Sequence, residues 1–207
     1  MTGGVVFLPG AGGSAVFWRP VAGRLPPAWR TACLSWPGLG HEPPDPAVRD
    51  MEALSGLARK ALARVALDRP AAVVAQSMGG VVAVTLALRY PALVRRLVLV
   101  CCSGGVDMAA FGARDWRPAY VAEYPAASRW ILDPAAAPEL PFEDVAAPTL
   151  VIGGDRDPWV PPEVTRHIAA RIPTARLHVV AGGGHDLAVT HAGAVAALVR
   201  DHLEAVG

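Results

Sequence analysis

The sequence predicts an α/β fold, a doubly wound and mostly parallel sheet with helices on both faces. Two observations point to it. Short apolar runs recur along the chain, continuous rather than alternating, as strands covered on both faces should be. Segments with helical period separate them, and strand alternating with helix is the pattern of a parallel sheet. With 53% of its 207 residues hydrophobic and 18% charged, the chain can bury one sizeable core but is short for two. Residues 1–207 are therefore expected to form a single domain.

Taken in order, strands are expected near Val5–Leu8, Thr31–Ser35, Ala72–Gln76, Leu97–Cys102, Thr149–Ile152 and Arg176–Val180. After Asp50, an N-cap by type, Leu54, Leu57, Ala58, Ala61, Leu62 and Val65 make one apolar stripe at helical spacing. Gly79–Tyr90 reads as a helix apolar all round and hence buried, stopped by Pro91. Pro162–Arg171 and His191–Leu203 are two further helices. One stretch breaks the rhythm. From about Gly104 to Asp144 no strand is expected, yet Phe111, Trp116, Tyr120, Tyr124 and Trp130 cluster there with several prolines. The stretch is too long for an ordinary connection. It is expected to be a partly helical excursion over one end of the sheet, and Trp116, Tyr120 and Tyr124, four apart, would share a helical face.

Composition narrows the function. A net charge of +1, with arginines scattered, gives no reason to expect nucleic acid or an anionic membrane as partner. No apolar stretch reaches the length of a membrane span. The opening Met1-Thr2-Gly3-Gly4 runs into Val5-Val6-Phe7-Leu8 without the marks of a secretory signal, so cytoplasm is expected. Cys33, Cys101 and Cys102 cannot all pair and lack metal-ligand spacing; in or beside apolar runs, they read as small buried hydrophobes.

The chemistry centres on Ala72-Val73-Val74-Ala75-Gln76-Ser77-Met78-Gly79-Gly80. A strand ends at Ser77 and a helix starts directly after it. A turn that sharp strains the serine backbone and tolerates only small residues two places to either side, here Ala75 and Gly79. It lifts the hydroxyl out of the sheet and aims the Met78 N–H at the place where negative charge would develop. A serine that only caps a helix is the plainer alternative.

A serine nucleophile needs a base, and the base an orienting acid. His185 stands out among six histidines: Ala181-Gly182-Gly183-Gly184-His185 follows the last strand in a loop able to reach back over the sheet edge. His178 lies within that strand; His167, His191 and His202, on helices, are expected to be solvated; His41 could line the site mouth. For the acid, Asp155 and Asp157 compete in Gly153-Gly154-Asp155-Arg156-Asp157-Pro158-Trp159, and Asp107 is a third candidate. Glycines after the first strand, Leu8-Pro9-Gly10-Ala11-Gly12-Gly13-Ser14, would let the Ala11 N–H complete an oxyanion hole with Met78. The same glycines fit G-x-G-x-x-A of dinucleotide sites, but the second strand ends Ser35-Trp36-Pro37, without the acid that would hold a ribose.

Pro9-Gly10-Ala11-Gly12-Gly13, Trp36-Pro37-Gly38-Leu39-Gly40, Ala75-Gln76-Ser77-Met78-Gly79-Gly80, Gly154-Asp155-Arg156-Asp157-Pro158 and Gly184-His185 together resemble the ordered motif set of the α/β-hydrolase family. The resemblance runs nearly the whole chain and fails across Gly104–Asp144. It implies Ser77 as nucleophile, His185 as base, Asp157 as acid, and Ala11 and Met78 as oxyanion donors. It implies an acyl-enzyme mechanism on a small-molecule ester, without metal or organic cofactor. Three departures stand out: Pro9 replaces a histidine usual before the first glycine, Ala75 replaces the first glycine of the elbow, and the cap is reduced. The stretch Pro9–Ala15 with Trp18-Arg19-Pro20 also resembles type II thioesterases of this fold. Trp159, Trp116 and Tyr120 are candidate walls of an apolar acyl pocket.

Overall fold

The structure, a computed structural model, describes residues 3–67 and 69–205. The Met1-Thr2 start read above lies outside them. Six strands form one parallel sheet: β1 Gly4–Leu8, β2 Arg30–Cys33, β3 Ala71–Gln76, β4 Val94–Val100, β5 Thr149–Gly154 and β6 Ala175–Val180, in the order β2-β1-β3-β4-β5-β6. The four central strands are almost wholly buried, as their unbroken apolar runs require. The edges differ from that expectation. Half of β6 and the start of β2 are exposed, because an edge strand has a sheet neighbour on one side only. β4 stops at Val100, short of the expected Cys102, because Cys101 turns into the left-handed region at φ 46°.

Helices cover both faces. The short helix α1 (Arg19–Ala22) packs on the last helix, and α2 (Met51–Val65) packs on α3 (Gly79–Arg89). Asp50 caps α2 as its residue type predicts: its Oδ1 accepts from the Ala53 N–H at 2.8 Å. Leu54, Ala58, Leu62 and Val65 of the expected stripe are buried, whereas Leu57 and Ala61 are half-exposed at its margin. Almost the whole of α3 is buried, in keeping with its lack of a polar face.

Over the excursion the structure has the helix α4 (Arg117–Glu123) and short 3-10 turns, with no strand. Trp116, Tyr120 and Tyr124 do share one face; their ring centroids follow at 5.3 and 5.0 Å. Arg171, at the end of α5 (Pro162–Arg171), pairs with Glu139 at 2.6 Å and Glu143 at 3.1 Å, linking the far end of the cap to the helix that packs on β5 and β6. The last expected helix, His191–Leu203, is α7 (Ala192–Glu204), and a short helix α6 (Leu187–Thr190) precedes it. Periodicity missed α1 and α6 because four residues make barely one turn.

The chain runs from β1 outward to β2, then returns across β1 to β3. The connections leaving β1 and β3 therefore diverge, and the carboxyl ends of these two strands open a crevice. In open α/β sheets ligands bind at such a switch point.

Candidate active site

Ser77 sits at the end of β3, with its hydroxyl in that crevice. Its φ of 51° is left-handed, a conformation costing a residue with a Cβ about 1–2 kcal/mol. The surroundings impose it. The Ser77 N–H bonds the Val100 carbonyl at 3.0 Å, ending the strand, and its carbonyl accepts from Gly80 at 2.9 Å, opening α3. Gly79 can only be glycine here, since a Cβ would strike the Pro9 carbonyl oxygen. Ala75, in place of a glycine, is accommodated fully buried.

His185 and Asp157 meet, although 28 positions separate them: His185 Nδ1 lies 2.8 Å from Asp157 Oδ2. The Asp157 side chain is fully sealed and that of His185 is 19% exposed, so the carboxylate is hidden behind an imidazole that solvent can reach. Asp157 Oδ1 accepts from the Trp159 and Val160 N–H groups, both at 2.9 Å. These three bonds fix the carboxylate. The other two candidate acids do different work. Asp155 accepts from the Gly182 N–H at 2.7 Å, tying its loop to the glycine loop that carries His185. Asp107 is exposed and accepts from the Ala109 N–H at 3.1 Å. Asp155→Asn keeps an oxygen for Gly182, so kcat/KM for an ester should stay within a few-fold of wild type. Asp155→Ala removes the tie, and steady-state kinetics should show the larger loss.

The glycine-rich segment after β1 lies directly against the elbow: a Cβ on Gly10 would lie 3.0 Å from that of Ser77. Among the described residues neither the Ala11 nor the Met78 N–H is spent on a protein acceptor. Ser77, His185, Ala11 and Met78 line one cleft of about 850 Å³, with Trp116, Tyr120 and Trp159 among its walls. No hydrogen bond joins Ser77 to His185 among the described residues; contacts of this kind often tighten only when a ligand is bound.

The remaining histidines fall elsewhere. His41 stacks edge-on to Tyr124 at 4.8 Å, beside a smaller hollow of about 280 Å³. His167 packs on Phe111, and His178 is exposed on β6. His202 is a correction: expected in solvent, it is buried, its Nε2 3.2 Å from the Pro148 carbonyl, and burial lowers its pKa.

Cys101 and Cys102 are buried, as their apolar context implies, whereas Cys33 is half-buried on the edge strand. Sequence spacing gave no sign that Cys101 would sit beside Asp157 and His185, their ligating atoms lying within 4.8 Å of one another. Three strand ends bring them together. A metal ion there would have to break the His185–Asp157 bond and take the proton of a thiol whose pKa burial and Asp157 push well above its ordinary value. Burial pushes Cys102 up to about 12. At pH 8 a disulfide reagent should therefore count at most one thiol, Cys33, in the native protein and all three after unfolding. The sign for stability follows: as pH rises from about 9, thiols of the unfolded chain ionise while Cys102 does not, so stability falls up to about 12.

Comparison with known proteins agrees with this architecture. The sequence pattern of the alpha/beta hydrolase family matches residues 5–198. A segment of the AMB antimetabolite synthetase AmbE of Pseudomonas aeruginosa is 29% identical over 96% of this chain, which spans only 10% of that protein's length. A pimeloyl-[acyl-carrier protein] methyl ester esterase of Neisseria meningitidis is 25% identical, the match covering 97% of this chain and 92% of the esterase. Among solved structures, a hydrolase from Pseudomonas aeruginosa superposes with a TM-score of 0.78 at 21% identity, over 99% of this chain and 91% of its own. With six parallel strands, helices on both faces, a small cap and a family match over nearly its whole length, the chain belongs to the α/β hydrolase family.

Proposed function

We propose that this protein is a serine hydrolase acting on carboxylic esters through Ser77, His185 and Asp157. The observation that carries the reading is the 2.8 Å bond between His185 and a fully sealed Asp157 in the cleft that holds Ser77. Attack begins with the Ser77 hydroxyl. His185 Nε2 takes its proton as Oγ adds to the substrate carbonyl, and Asp157 holds the imidazole by Nδ1–H and stabilises its charged form. The Ala11 and Met78 N–H groups receive the oxyanion. His185 then returns the proton to the leaving alkoxide, and water releases the acid from Ser77 by the same steps. Residues 104–144 act as the cap of a single domain.

Support for an ester comes from the Neisseria meningitidis relative, whose name gives a methyl ester as its substrate. A thioester is the neighbouring reading, favoured by the stretch Pro9–Ala15 with Trp18-Arg19-Pro20. The deciding experiment is labelling with a fluorophosphonate and mapping the adduct by mass spectrometry. Modification of Ser77, lost in His185→Ala, supports the hydrolase. An unlabelled wild-type protein that still binds acyl ligands is a binding module, and the reading fails. Matched oxyester and thioester substrates then separate the two chemistries.

The cleft walls give a further expectation. Each methylene buried adds about 0.8 kcal/mol, so kcat/KM should rise with acyl length and stop where the cap ends. With p-nitrophenyl esters from acetate to palmitate, Trp116→Ala should shift the optimum length. An unchanged profile would make Trp116 a packing residue.

A further inference from the structure

The segment that presents Ala11 is held by its carbonyls. Trp18 Nε1 donates to Leu8 O at 2.9 Å, Trp36 Nε1 to Pro9 O at 2.7 Å and Gly13 N to Gly10 O at 3.1 Å. The next carbonyl, that of Ala11, is held from the cap. The Tyr120 hydroxyl, on α4, donates to it at 3.0 Å and accepts from the Gly40 N–H at 3.1 Å. Tyr120 is 6% exposed, so this is a buried bridge between three segments distant in sequence. Its anchorage is firm: Gly40, at φ 56°, lies backbone to backbone with Gly12, where a Cβ would strike the Gly12 carbonyl. Desolvation raises the pKa of the phenol, keeping it a donor.

The consequence concerns Ala11. The peptide before its Cα is fixed through Gly10 O and the peptide after it through Ala11 O, so φ and ψ of Ala11 are both constrained. The Ala11 N–H lies in the plane of the Gly10 carbonyl and opposite to it, and the Tyr120 hydroxyl steadies that plane from the other side by holding the peptide that follows. We propose that Tyr120 is a positioning residue for the oxyanion hole: through its hydroxyl, the cap helix holds the Ala11 backbone so that the N–H keeps its aim toward Ser77. This rests on the serine-hydrolase reading above, and it gives Tyr120 a role beyond that of a cleft wall.

Tyr120→Phe removes one oxygen and leaves the ring to pack on Trp116 and Tyr124. Misaiming an oxyanion donor should cost less than the roughly 10² to 10³ in kcat seen when one is deleted, so kcat should fall about ten- to a hundredfold with KM nearly unchanged. A pair of inhibitors reads the role directly. With a trifluoromethyl ketone, Ser77 Oγ bonds the carbonyl carbon, the carbonyl π pair becomes an alkoxide, and the hydroxyl proton passes to His185. The methyl ketone of equal length binds essentially without addition. In Tyr120→Phe the trifluoromethyl ketone should weaken by the factor lost in kcat while the methyl ketone holds its affinity. Should the phenylalanine variant not fold, Tyr120→Leu, which also lacks the hydroxyl, is read in the same way. An unchanged kcat, or equal weakening of both ketones, overturns the proposal. Fluorophosphonate labelling of wild-type Ser77 separates the two levels: without it the hydrolase reading fails, whereas labelling with an unaltered Tyr120→Phe defeats only the role of Tyr120.

Discussion

Ser77→Ala is expected to lower ester turnover by about 10⁴ to 10⁶, the range that nucleophile removal gives in comparable triads. Alanine leaves His185 and Asp157 bonded but with no proton to move and no oxygen to acylate. Any residue of rate acceleration would come from the Ala11 and Met78 amides acting on water. The fold should survive, because both residues have a Cβ and meet the same left-handed strain at φ 51°. Glycine escapes that strain, so Ser77→Gly should be equally inactive yet melt higher, by roughly 1 kcal/mol of stability. The measurement is turnover of p-nitrophenyl acetate by protein free of host esterases, with a parallel thermal melt. Retention of more than a tenth of the activity would remove Ser77 from the mechanism.

The second large effect is expected from Asp157→Asn, on the order of 10⁴-fold in kcat. The geometry dictates which way the amide turns. Oδ1 of Asp157 accepts from two backbone N–H groups, so the amide oxygen must stay there and the amino group must face His185. An N–H aimed at Nδ1 forces the imidazole proton onto Nε2, where it blocks the Ser77 hydroxyl instead of receiving its proton. The variant should fold, since each bond keeps a donor and an acceptor. Asp107→Asn should stay close to wild type because Asp107 caps a surface turn. Should Asp107→Asn prove severe and Asp157→Asn near normal, the acid would lie beyond β4 and not beyond β5.

These two residues mark how far the sequence could be read. The strands were legible because a central parallel strand must be apolar on both faces, and β3 says so in Ala71–Gln76 without reference to anything distant. The turn at Ser77 was equally local, set by one strand end, one helix start and two small neighbours. The choice between Asp155 and Asp157 was not. Both stand in one short loop, and what separates them is how the loops after β5 and β6 turn toward each other, which brings Asp155 to Gly182 and Asp157 to His185. His202 and the Tyr120 hydroxyl escaped for the same reason. Burial of a polar tip depends on which carbonyl another segment brings to it, here Pro148 and Ala11, and neither is a neighbour in sequence.

Exposure along β6 bears on how the protein fails under heat. That strand pairs with β5 alone, and the loop bearing His185 hangs from its end. A margin of the sheet held on one side opens at lower free energy than its centre. Fraying of this one strand would draw His185 away from Asp157 while β1, β3 and β4 stayed packed. Heat inactivation should then precede the melting of the core, and the interval between the two curves would measure how loosely the last strand is sewn on.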